Sequence, residues 1–196
     1  TYLDVIPEMV DKNNRLHTSL NQAGTTTGRM SSNNPNLQNI PIKSELGKKI
    51  RNAFLAPQGY ILASFDYSQI ELRIAALMSQ DSYFINVFKE GKDIHSAVAM
   101  KVFKVKENEV TPEMRRRAKV INFGILYGMG VSALKQNLGG TRVEAQTFFD
   151  NYFAQFPTIA AYLESVKEFA KKNGYTETLF GRKRYFSGIN SHIPFI

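Results

Sequence analysis

Cysteine is absent from the 196 residues, which excludes disulfides and thiolate metal sites and is compatible with a reducing compartment. A membrane-length apolar run is missing as well. The longest candidate, Val120 to Leu134, is too short and is interrupted by glycine and asparagine. No basic-then-apolar leader opens the chain, and it contains neither an internal repeat nor a low-complexity linker. Acidic residues are in deficit: 17 Asp and Glu stand against 25 Lys and Arg, a formal net charge of +8. That excess points to a polyanionic partner, nucleic acid before membrane, although many basic proteins bind nothing anionic. What remains is ordinary globular material, 43% hydrophobic and 21% charged, enough for one large domain or two small ones. A soluble, intracellular protein is the expectation.

Residues 1–59 read as irregular and β-rich. "RLHTSLNQ" alternates, "GTTTGRMSSNNPN" is turn chemistry, and "APQGY" is a break. "YILASFDYS" has the pattern of a buried strand, apolar from Tyr60 to Phe65 and ending at Asp66. Ser68 then predicts the cap of a helix over "QIELRIAALM", with Glu71 completing a capping box and Ile70, Ile74 and Leu77 at helical spacing. Beyond that point the pattern is helical almost throughout. "DIHSAVAMKVF" is one helix, Thr111-Pro112-Glu113 starts another, and 141–172 holds two more split at Pro157. "GYTETLFGRKRYF" returns to strand and turn. The reading is therefore α+β: a strand-bearing platform followed by a mostly helical part, with the composition shift near residue 72.

Asp66 stands where the predicted strand gives way to a helix, a common setting for a catalytic carboxylate. The Tyr67 backbone carbonyl beside it could join it on a hard cation such as Mg²⁺. Taken alone, the position favours a plain cap or strand end over catalysis. The stretch "RRRAKVINFGILYG" carries more. Steps of four residues advance about 400°, so Arg115, Lys119, Phe123 and Tyr127 lie along one helical face. Cations occupy its N-terminal part, where the helix dipole adds positive potential, and rings follow. A nucleoside triphosphate matches that order, and Gly124 and Gly128 would let a ligand approach the backbone. Any single one of these residues also fits an ordinary amphipathic helix with a solvated basic end. His95 could donate to a phosphate or be a plain polar helix residue. Arg29, Asn36, Gln38 and Asn39 offer short polar donors, as a phosphate-contacting loop or a simple surface connection would. "GRKRY" reads by default as a solvated basic patch.

"DYSQIELR" (66–73) resembles motif A of the family A DNA polymerases, the bacterial DNA polymerase I group. "RRRAKVINFGILYG" is similar to their motif B, RxxxKxxxFxxxYG, with Arg115, Lys119, Phe123, Tyr127 and Gly128 in every position. "TGRMSSNNPNLQNIP", "DIHSAVA" and "YTETLFGRKRY" also resemble that family, so the likeness runs along nearly the whole chain in order. The resemblance implies a DNA-directed DNA polymerase acting by a two-metal mechanism on primer–template DNA and dNTP, with two Mg²⁺ ions as cofactors. It implies that Asp66 and the Tyr67 carbonyl hold metal, and that Arg115 and Lys119 bind triphosphate, with Lys119 able to protonate the departing pyrophosphate. Gln69 and His95 would add contacts around the nucleotide, and Glu71 would lie under the sugar 2′ position. Phe123 would pack near the sugar, Tyr127 would stack by the templating pair, and Arg29 and Asn39 would touch DNA. Residues 1–17 would leave the thumb, 18–72 belong to the palm and 73–196 form the fingers, in a monomer of the bacterial cytoplasm or nucleoid.

The family's third motif, a His-Asp-Glu segment with the second metal carboxylate, is absent, and His-Asp adjacency occurs nowhere. The chain is thus expected to be part of a longer polymerase and not to extend primers alone. Two other readings compete. A non-catalytic nucleic-acid-binding module accounts for the charge but not for Asp66. A metal-dependent phosphohydrolase accounts for Asp66 and Lys119 but not for the face carrying Phe123 and Tyr127.

Overall fold

A computed structural model describes residues 2–42 and 44–189. The chain divides between Asp66 and Tyr67 into two compact units. The first contains α1 (Tyr2–Glu8), a ribbon of β1 (Ser19–Asn21) and β2 (Ser31–Asn33), and α2 (Glu45–Asn52). The ribbon is antiparallel, with Ser19 opposite Asn33 and Asn21 opposite Ser31. The buried Ser32 hydroxyl ties its end to the following loop: it accepts from the Leu37 N–H at 3.0 Å and lies 2.7 Å from Thr18 Oγ1, which donates to the Pro35 carbonyl at 2.8 Å. Thus the β character expected over 1–59 reduces to three-residue strands, and two helices stand where irregular chain was read. The second of them had a legible start. Ser44 Oγ accepts from the Gly47 N–H at 3.0 Å, an N-cap bond. Gly47 is required there, because a Cβ would sit 2.6 Å from the Pro41 carbonyl oxygen.

The strand expected from Tyr60 to Phe65 does not form. These residues have no regular structure, and Ile61 and Phe65 are 88% and 94% exposed. The apolar pattern is real, but a strand needs a neighbour to complete its ladder and a layer to cover its face. Among the described residues nothing pairs with 60–66.

The second unit runs α3 (Ile70–Ser79), α4 (Ser82–Lys89), α5 (Ile94–Phe103), a 3₁₀ turn at Glu107–Glu109, α6 (Pro112–Leu126), α7 (Val131–Leu138), α8 (Arg142–Gln155) and α9 (Pro157–Asn173). A hairpin of β3 (Tyr175–Glu177) and β4 (Lys183–Tyr185) follows. Side chains set most of the starts. Asp81 accepts from the Phe84 N–H at 2.9 Å, Asp93 from Ser96 at 2.8 Å, and Thr111 from Met114 at 3.2 Å with Pro112 at the first helical position. The break at Pro157 and the terminal hairpin fall where the sequence puts them.

One start differs from expectation. The capping box at Ser68 and Glu71 is not made: the cap of α3 is Gln69 in the left-handed region, φ 55°, without a side-chain bond. Ser68 instead gives its carbonyl to Arg73 Nε at 2.9 Å, and Glu71 turns toward Tyr127. The unit's core is one cluster from α3 to α9, with Leu72, Phe84, Ile94, Val98, Ile121, Leu134, Tyr152 and Phe156 almost fully buried. Phe84 meets Phe156 edge-on with centroids 5.1 Å apart. Short antiparallel ribbons together with a helical cluster keep the chain in the α+β class. No helix among the described residues is long and apolar enough to cross a membrane.

Candidate functional site

The first turns of α6 carry four cations, and the structure divides them by partner. Glu113 takes two: Arg116 donates through Nε and Nη2 at 2.7 Å each, and Arg117 through Nε at 3.0 Å. Arg115 turns to the neighbouring helix, its Nε 2.9 Å from Asp93 Oδ2 and its Nη2 3.0 Å from Oδ1. This bidentate fork fixes the start of α5 against α6. Partial burial works to raise the Asp93 pKa, but Arg115 and the two bonds from Ser96 outweigh it and hold the carboxyl at about 2. Arg115, expected on triphosphate, is therefore already engaged. Lys119, one turn on, is exposed and makes no hydrogen bond or ion pair among the described residues.

The rings follow as the spacing requires. Phe123 is half-buried. Tyr127 is not inside the helix but is its C-cap, 65% exposed, with its hydroxyl donating to Glu71 Oε1 at a long 3.4 Å. The face runs from cations to rings, and α3 adds Glu71 at its ring end.

Both glycines have a structural part in the end of α6. Gly128 has φ +73°; its N–H donates to the Ile125 carbonyl at 3.1 Å, and the Met129 N–H donates to the Gly124 carbonyl at 2.8 Å, a Schellman ending. Met129 folds back over Gly124, where a Cβ would lie 2.7 Å from its Sδ. Nothing stands within 4 Å of a Cβ at Gly128, so only backbone strain opposes a side chain there. Gly128→Ala should lower stability by about 1 kcal/mol, read from the denaturant midpoint of the two proteins.

His95 is 2% exposed, packed inside the α5–α6 contact. Its ring lies 5.6 Å from that of Phe123, and its Nδ1 is 3.1 Å from Asn122 Nδ2. His95, which the sequence offers as a phosphate donor or a plain polar helix residue, thus packs within the core. Burial drives its pKa down from 6.5 to about 4; Asp93 opposes, and Arg115 and Lys119 assist. Between those values the unfolded chain binds a proton that the folded chain refuses. Stability is then complete above pH 6.5 and falls as the pH drops toward 4. The loss should be on the order of 2 kcal/mol, measured by urea unfolding at pH 7.5 and 5, and His95→Gln should flatten that dependence.

The remaining expected residues belong to other segments of the chain. Gln69 is half-buried at the start of α3. Arg29 and Asn39 are exposed on the first unit, both with partners of their own. Asp66 closes that unit, exposed and without a hydrogen bond or ion pair among the described residues, and Tyr67 opens the next. An unengaged carboxylate beside a carbonyl suits a hard cation in donor chemistry. No group of three or more His, Cys, Asp or Glu side chains gathers for a metal among the described residues. The basic "GRKRY" segment ends in β4, with the Lys183 ammonium 4.4 Å from the centre of the Tyr175 ring. Sequence reading missed Asp93 and Asn122. Asp93 was detectable as an N-cap three residues before Ser96, and Asn122 as the single amide within the apolar run Val120–Leu126.

The profile of DNA polymerase family A matches residues 1–194. The chain belongs to DNA polymerase family A. It is 48% identical over 194 residues to the thermostable DNA polymerase I of Thermus aquaticus, covering 98% of the chain and 23% of that relative. It is 47% identical over 192 residues to DNA polymerase I of Pseudomonas aeruginosa, covering 97% and 21%. Among solved structures it is similar to the POL domain of Pol1 from M. smegmatis in complex with DNA primer–template and dNTP, with a TM-score of 0.88 at 42% identity over 98% of the chain and 34% of that one. The chain thus spans less than a quarter of the length of these curated relatives. Both motif-bearing stretches, 66–73 and 115–128, fall inside the family A match.

Proposed function

We propose that the chain is the nucleotide-selecting part of a DNA-directed DNA polymerase, which transfers dNMP from dNTP to a primer 3′-hydroxyl under direction of a template. The observation that carries this reading is the α6 face: Lys119 exposed and unengaged, Arg115 beside it, and Phe123 and Tyr127 toward the other end. A triphosphate at the cationic end would leave base and sugar at the rings. Lys119 is the group free to take a phosphate oxygen and to give a proton to the departing pyrophosphate. Arg115 contributes from its edge turned away from Asp93. Glu71, held near the Tyr127 hydroxyl, would crowd the sugar 2′ position, Gln69 would add a polar contact, and Tyr127 would stack by the templating pair. Asp66 and the Tyr67 carbonyl would hold Mg²⁺, which when bound lowers the charge barrier between 3′-oxygen and phosphate.

Within this reading residues 1–17 lead out of a thumb, 18–72 form part of a palm and 73–196 the fingers. Arg29 and Asn39 touch primer–template DNA. A monomer in the bacterial cytoplasm or nucleoid suits relatives that are bacterial DNA polymerases. The test is equilibrium binding of Mg²⁺–dNTP and Mg²⁺–NTP to the chain. Preference for the deoxy form, lost in Lys119→Ala, is expected; equal, Lys119-independent binding of both would overturn the reading.

A further inference from the structure

The side chain of Asn122 takes no part in the nucleotide face and is completely buried. Its Nδ2 sits 3.1 Å from His95 Nδ1. Its Oδ1 is the one buried side-chain nitrogen or oxygen without a partner among the described residues. An aliphatic side chain would fill the same space without an orphaned acceptor, so the amide costs stability where it stands. What it gives in return is direction. An amide nitrogen can only donate, so the facing Nδ1 accepts and the ring proton resides on Nε2. Nε2 has no hydrogen bond among the described residues, and it is not among the sealed polar atoms without partners. The same ring lies against Phe123, on the helix that bears Lys119.

We propose that Asn122 is a positioning residue, whose amide locks His95 in the Nε2–H form so that the ring offers a donor to a phosphate oxygen of the nucleotide. This rests on the nucleotide reading of α6 and deepens it. In the other tautomer Nε2 would present a lone pair to an anionic oxygen, and the contact would be repulsive. A ring free to exchange would spend part of its time in that form. The Asn122 bond removes the wrong form before the ligand arrives, and packing against Phe123 holds the plane of the ring.

Long-range ¹H–¹⁵N correlation spectra of the labelled chain at neutral pH read the tautomer directly. The chain has three histidines, and His95→Gln assigns the signal. The expected result is a single form with Nε2 protonated and Nδ1 bare. Asn122→Leu should release it into two forms, and Asn122→Asp should draw the proton to Nδ1. A protonated Nδ1 or a mixture in the unaltered chain overturns the inference without reliance on any variant. An unchanged His95 signal in both folded variants overturns it as well. Inorganic tripolyphosphate added to the unaltered chain should shift the Nε2 signal, and the shift should be lost in Asn122→Asp. A locked Nε2–H that ignores tripolyphosphate would overturn the phosphate contact, and with it the nucleotide role of His95, while the tautomer result stood by itself.

Discussion

Asp66→Asn, made in the polymerase that carries this chain, should reduce turnover by roughly three orders of magnitude or more with primer–template affinity nearly unchanged. The substitution keeps the size and shape of the side chain and removes its charge. Asp66 is exposed and bonded to none of the described residues, so folding loses little when the charge goes. The effect is therefore expected on the chemical step: an amide oxygen is a far weaker ligand for a hard cation than a carboxylate. Single-turnover rates measured beside a DNA-binding titration separate the two. Turnover within about tenfold of the parent would remove Asp66 from the reaction.

The contrast between Asp66 and α6 shows what a sequence can and cannot carry. Helix caps are local: the Thr111-Pro112 start and the break at Pro157 involve residues within a few positions of one another, and they form where the pattern puts them. The same locality misled at Ser68. Its capping box is as good a local pattern as that of Thr141 and Glu144, which does form, but α3 starts at Ile70 with Gln69 as its cap, and Glu71 faces the Tyr127 hydroxyl. The strand at Tyr60–Phe65 failed for a different reason. Its apolar run encodes burial, and burial depends on layers that the pattern within the run does not contain.

The site divides along the same line. Spacing alone put cations and rings on one face of α6, because a helix repeats whatever surrounds it. It gave no sign of which cations were spoken for. That depends on Glu113, within one turn, and on Asp93, which is 22 residues away in sequence. The glycines illustrate the point from the other side. Gly128 marks a helix end that local rules anticipate, whereas the space over Gly124 is filled by Met129 only because the chain reverses at that end. His95 reads only as a polar helix residue until α6 covers it, and its hydrogen-bond partner there is the unlooked-for Asn122.

Because Lys119 is the cation left unengaged, its truncation should be the cleanest probe of what the face is for. Lys119→Ala removes a charge and a donor from an exposed position, so the thermal midpoint should stay where it was. Alanine also favours helix, which protects α6 from any loss of local propensity. If the ammonium meets the triphosphate, kcat/KM for dNTP should fall by about 1.5–3 kcal/mol, roughly ten- to a hundredfold. Arg115 can offset only part of the loss, since Asp93 holds two of its donors. Primer–template affinity and its salt dependence should change little, because no phosphate of the duplex loses a partner. The opposite pattern, with DNA affinity collapsing and dNTP dependence intact, would mean that this face of α6 lies against the duplex. Lys119→Arg separates charge from shape: it should restore most of the binding to triphosphate while leaving turnover low, because a guanidinium does not give up a proton to the leaving pyrophosphate.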